Sequence, residues 1–183
     1  MWTAFSIALF IISIVNFLGG GFLTDAFGFS ATAPLCTRIS YLLCHVGMVH
    51  FALNAYGIFI LHEFVELICE KNGFSRRFSY LFPLFMIALA ILATFGTELS
   101  RPTVGLSGVL CAYMGFVAAW QHNKGTLALL ATFVMFNLIG FFTDSMNIGL
   151  HILSFFYGAV FSFVLFVKKT IDSVDISSLK EGF

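Results

Sequence analysis

Six apolar windows, most of them near the length that crosses a bilayer, constrain this chain more than any other feature. They fall at residues 2–19, 41–61, 79–96, 107–121, 126–143 and 148–167. About 20 apolar residues in helical form span the hydrocarbon core, so the windows predict an all-α, polytopic membrane protein. Its six transmembrane helices form a single domain over 1–183, ending in a polar cytoplasmic tail at 170–183. Composition points the same way. Of the residues, 60% are hydrophobic and 10% charged, against roughly 45–50% and about 25% in soluble domains. The 25 phenylalanines read as lipid-facing and packing mass. Net charge is zero and no basic run carries interleaved aromatics, which excludes nucleic acid as a partner.

The stretch MWTAFSIALFIISIVNFLGGG lacks a basic leader and a small-residue cleavage site, so it is expected to stay as a helix. Lys71, Arg76 and Arg77 follow the second window, Lys124 the fourth, and Lys168 and Lys169 the sixth; Arg38 and Arg101 alone fall on the other side. The positive-inside rule then puts both termini in the cytoplasm. The link from Gly19 to Arg38, GGGFLTDAFGFSATAPLCTR, is glycine-rich yet apolar and is expected to lie in the outer interface. Cys36, Cys44, Cys69 and Cys111 show neither CxxC nor zinc-ligand spacing and read as free thiols, with Cys36 to Cys44 the one conceivable disulfide.

The fourth window is too short to span. From Ser107 to Gln121 it rises only about 22 Å as helix, against about 30 Å of hydrocarbon. Gln121, His122 and Lys124 fix its cytoplasmic end, so Ser107 opens a helix below the outer surface, fed by the non-helical TELSRPTVGL. Irregular backbone at that depth needs protein or a watery cavity around it, which predicts a pit with Ser107 at its floor.

The second, fourth and sixth helices all run from outside to inside, so His50, Asn54, Ser107 and His151, near their starts, share a depth. Ser107, Cys111, Gly115 and Ala118 form one stripe of the fourth helix, and His151, Ser154, Gly158 and Ser162 one of the sixth. Small residues let membrane helices approach closely, which brings His151 within hydrogen-bonding reach of Ser107. A serine beside a histidine base is an activated nucleophile. Asp144, seven residues upstream of His151, is not placed to orient the imidazole, so the pair is a dyad. His50 and Asn54 lie at i and i+4 on one face; with the Ser107 N–H they make an oxyanion hole. His45, about 140° round the helix from His50, points elsewhere and reads as a loop or packing residue.

These features resemble the rhomboid family of intramembrane serine proteases in its minimal six-helix form, over the whole chain. The residues that carry the resemblance are GLSG with Gly115 eight past the serine; His45, His50 and Asn54 spaced five and four apart; and GLH at 149–151 followed by Ser154 and Gly158. The resemblance implies a Ser107/His151 dyad, with His50, Asn54 and the Ser107 amide at the oxyanion. It implies hydrolysis of peptide bonds in or near the transmembrane segments of single-pass membrane proteins. No metal or cofactor is expected, and the location is a cell membrane, plasma or bacterial inner. Glu66 matches an acidic family position read as structural. Four positions depart from the pattern: Thr37-Arg38 stands for a Trp-Arg pair, His62-Glu63 for a glycine pair, Cys111 for an aromatic four after the serine, and Ser154 for a glycine three after the histidine. None removes a catalytic atom.

HEFVE at 62–66 nearly imitates the HExxH zinc motif, but Glu66 replaces the second histidine and no third ligand is visible. His62 and His122 read as residues at cytoplasmic helix ends. The alternative function is a catalytically inactive rhomboid-like protein that binds membrane helices, which needs none of Ser107, His151, His50 and Asn54. A transporter ranks last, because charges cluster at helix ends and do not line a midplane path.

Overall fold

The structure is a computed structural model that describes residues 2–30, 32–97, 102–121, 124–143 and 147–180. Arg101, His122 and Asp144, which the sequence reading used, lie outside these residues. Helices carry the fold: α1 Trp2–Leu18, α2 Phe22–Phe27, α3 Thr37–Ser40, α4 Met48–Lys71, α5 Arg76–Ala93, α6 Ser107–Gln121, α7 Lys124–Thr143 and α8 Ile148–Lys180. Three described stretches are long and apolar enough to cross a membrane, Met48–Lys71, Arg76–Gly96 and Ile148–Thr170; Ile7–Leu18 and Gly125–Ile139 are shorter apolar helices.

Local chemistry explains where these helices begin and end. The second one starts at Met48, seven residues later than the hydropathy window, because Tyr41–Leu43 form a 3-10 turn and Gly47 is extended. It then runs ten residues past the window, to Lys71. Ser75 caps α5 by accepting the Phe78 N–H (3.2 Å). The glycine-rich first link is not wholly irregular: Gly20 and Gly21, at φ 69° and 88°, turn the chain out of α1 and into α2. The expected polar tail from residue 170 stays helical through Lys180, since KTIDSVDISSLK contains neither glycine nor proline to stop it.

The core is α6. Eleven of its 15 residues are buried, so this helix is covered on every side, as an all-round apolar helix must be. Its most extensive neighbour is α8, with α4, α5 and α7 around the remainder. Phe82, Phe116 and Phe161 meet edge-on or tilted with centroids 4.6 to 6.2 Å apart, filling the half of the bundle away from Ser107. α7 is held differently: Asn137 is its one buried residue among those whose burial is described.

Candidate active site

At the start of α6 a glycine turn gives way to helix. Gly105 takes φ 113°, a value only glycine adopts without strain, and Ser107 is the first helical residue. Residues 102–106, which feed it, are irregular, yet the first loop pairs their backbone. Phe29 and Thr103 exchange hydrogen bonds of 2.9 and 2.8 Å, the Gly105 N–H donates to the Tyr41 carbonyl (2.8 Å), and the Leu106 N–H donates to His45 Nε2 (3.2 Å). Protein therefore satisfies this backbone. The open pit expected at Ser107 is closed in this structure: Ser107 is 5% exposed and His151 1%.

α8 begins beside it. Asn147 caps the helix by accepting the Leu150 N–H at 2.9 Å, which sets His151 in the first turn. α6 and α8 touch backbone to backbone. A Cβ on Gly115 would stand 1.9 Å from the Phe155 carbonyl oxygen, and one on Gly158 2.0 Å from that of Ala112. Across this contact Ser107 Oγ and His151 Nε2 lie 2.9 Å apart.

The other imidazole nitrogen also has a partner. His151 Nδ1 is 3.2 Å from Asn137 Oδ1, and the Phe136 ring lies 5.4 Å from the imidazole at 33°. The sequence reading missed both residues. The available signal was Asn137 itself, the lone amide in FVMFNLIGFF, because a polar side chain in a membrane helix is usually bonded across to a neighbour.

α4 supplies the opposite wall. His50, Asn54 and Gly57 fall within about 60° of arc. A Cβ on Gly105 would stand 2.7 Å from His50 Cε1 and 3.3 Å from its Nε2, and one on Gly57 2.8 Å from Leu110 Cδ1. This face therefore packs on the turn before Ser107 and on the first turn of α6, with Asn54 between the two contacts. Asn54 is 1% exposed and its amide nitrogen has no hydrogen-bond partner. Such an orphaned donor costs about 1–3 kcal/mol.

His45 does not point away from His50 as the helical spacing predicted: it precedes α4, its ring lies edge-on to that of His50 with centroids 5.4 Å apart, and it holds the site's floor. Because its Nε2 accepts the Leu106 N–H, its proton is on Nδ1, facing Ser13 Oγ at 3.3 Å. The His45 carbonyl accepts from Asn16 Nδ2 (2.8 Å), and Asn16 Oδ1 accepts the Leu23 and Thr24 N–H groups. Ser13 and Asn16 thus tie α1 to the loop under Ser107. Burial first, and His50 second, push the His45 imidazole down to a pKa of about 3.

His62 differs from the sequence reading. It lies inside α4, with Nδ1 3.2 Å from Tyr113 Oη and its ring edge-on to that tyrosine, because α4 extends beyond the expected end. It is a link to α6, with Glu66 3.7 Å from Nε2. Among the described residues no three His, Cys, Asp or Glu side chains converge as a metal site would require. All four cysteines are free thiols.

The departures from the family pattern have local substitutes. Arg38 donates to the Thr94 carbonyl and lies 4.6 and 4.4 Å over the Phe29 and Phe95 rings, anchoring the first loop to the end of α5. Cys111 is fully buried and offers no ring; Phe136 offers one from α7. Ser154 is accommodated by Gly108, where a Cβ would stand 3.3 Å from its hydroxyl.

The family model of the Rhomboid domain matches residues 32–168, which include all four of these candidate residues, Ser107, His151, His50 and Asn54. Comparison with curated proteins finds no match.

Proposed function

The chain belongs to the rhomboid family, and from that premise we propose that it is an intramembrane serine endopeptidase working through Ser107 and His151. The observation that carries this reading is the 2.9 Å contact between Ser107 Oγ and His151 Nε2, made in the first turns of two helices. In the reaction, Nε2 takes the hydroxyl proton as Oγ attacks a peptide carbonyl. The oxygen that becomes negative is met by the Ser107 N–H, at a helix N-terminus where anions are favoured, and by donors from His50 and Asn54. The imidazolium then protonates the leaving amine, and water, deprotonated by the same nitrogen, releases the acyl group.

The substrates are single-pass membrane proteins, cut in or near their transmembrane segments. A carbonyl in an intact helix is occupied and shielded, so the cleaved segment carries helix-breaking glycine or proline, which makes unwinding less costly. The chain crosses the membrane six times, through α1 and α4 to α8, with both termini cytoplasmic. Supporting that orientation, Lys71 ends α4, Arg76 opens α5 and Lys169 donates to Asn72 at 2.6 Å, gathering basic residues at the end away from Ser107.

A fluorophosphonate probe applied to the purified full chain tests the reading. The wild type should be labelled and Ser107→Ala should not, with both variants equally folded; equal labelling, or none in either, overturns the assignment. A non-cleaving binder predicts no labelling in either.

A further inference from the structure

We propose that Asn137 on α7 is a positioning residue for His151, fixing the imidazole tautomer that Ser107 needs. This deepens the protease reading and rests on it. A neutral imidazole carries one ring proton, and only the bare nitrogen can act as base. Asn137 decides which nitrogen is bare. Its Nδ2 donates to the Phe133 carbonyl one turn back at 2.8 Å, while Oδ1 turns to His151 Nδ1 at 3.2 Å. Flipping the amide would set its oxygen against the Phe133 carbonyl oxygen and lose that bond, so the Phe133 carbonyl holds Oδ1 toward the imidazole. Oδ1 can only accept, so Nδ1 holds the proton and Nε2 keeps its lone pair toward Ser107 Oγ at 2.9 Å.

Two further observations assign this role to the asparagine and not to packing. Asn137 is 8% exposed, whereas its neighbours Val134, Met135, Leu138 and Ile139 are 44–57% exposed. The one residue α7 buries among those described is thus its amide. Beside it, the Phe136 ring lies 5.4 Å from the imidazole at 33°, limiting rotation of the ring whose proton Asn137 holds. α7 therefore delivers a hydrogen-bond acceptor and an aromatic plane from consecutive residues to one histidine on α8.

The test compares fluorophosphonate labelling rates of the full chain as wild type, Asn137→Leu, Asn137→Asp and Ser107→Ala, with thermal unfolding of each. Asn137→Leu should label about 10²-fold more slowly, the scale of loss for a misplaced catalytic group. Asn137→Asp, which keeps the acceptor, should recover to within about ten-fold of wild type. A packing role predicts the reverse order, since leucine suits an apolar helix and a carboxylate does not. Wild-type rates in Asn137→Leu, or Asp slower than Leu, overturn the proposal. Should Asn137→Leu fail to fold, Phe136→Leu and the 15N shifts of the His151 ring carry the test. Loss of the Nδ1–H signature in folded Asn137→Ala supports the role, and its persistence refutes it. If the wild type is not labelled at all, the protease reading falls, and this one with it; slow labelling confined to the Asn137 variants leaves the protease reading standing.

Discussion

His151 is held from two sides that differ in kind. On one, α6 and α8 meet at Gly115 and Gly158, where even a methyl group would lie within 2.0 Å of a backbone oxygen. α4 continues that tight packing through Gly57 against Leu110 and His50 against Gly105. On the other side, α7 leaves most of its described residues unburied and reaches the histidine through two side chains. On the proposed reading, the approach of Ser107 to His151 is thus set by backbone contact, and the tautomer and orientation of the imidazole by side chains on a sparsely buried helix. Position and chemical state are controlled separately.

Experiments can break that division, most severely on the tight side. Asn54→Ala removes a donor from the wall facing Ser107 and should lower turnover by about 10² to 10³ fold, with apparent affinity changing less. Losses in proportion to lost folded protein would make Asn54 mere packing. Gly158→Ala should separate α6 from α8, since a Cβ and a carbonyl oxygen cannot share 2.0 Å. About 10²-fold should be lost from activity, together with roughly 1–3 kcal/mol of stability from overpacking. Retained activity in a folded Gly158→Ala protein would show that the seam does not set the dyad.

A smaller effect concerns the loop beneath Ser107. His45 has its pKa pushed down to about 3, below the ordinary value near 6.5, so the unfolded chain binds its proton first as pH falls. Its contribution to stability is complete above about pH 6.5 and is lost on descent toward 3. Thermal unfolding across that window should show a weaker acid dependence in His45→Gln than in the wild type, and identical slopes would remove the assignment. The smallest effect is on the outward face of α7. Val134→Ala and Met135→Ala, at half-exposed positions, should change labelling rates by no more than about two-fold, surface changes being worth about ±0.5 kcal/mol. A ten-fold loss there would mean that α7 is held by more than Asn137 and Phe136.

Much of this is legible in the sequence, and the limits have physical reasons. α6 is readable because its shortness and the small residues at Gly115 and Gly158 are both composition at helical spacing, and together they bring Ser107 and His151 into contact. The start of α4 is not, because hydropathy scores Tyr41 to Cys44 as apolar without seeing that the backbone there turns. His62 follows from that error, since it lies at a helix end only if α4 stops near residue 61. Asn137 is hidden for a different reason. Its partner depends on how far α7 is rotated and translated against α8, which no spacing within either helix records.

The glycine contacts of the α6–α8 seam have no rotamers. Side-chain interfaces yield to lateral pressure from lipid by changing torsions, but two backbones in van der Waals contact have no torsion to yield. A shift of α7 would therefore alter the side-chain contacts of His151, while the approach of the α6 and α8 backbones at Gly115 and Gly158 behaves as a hard stop.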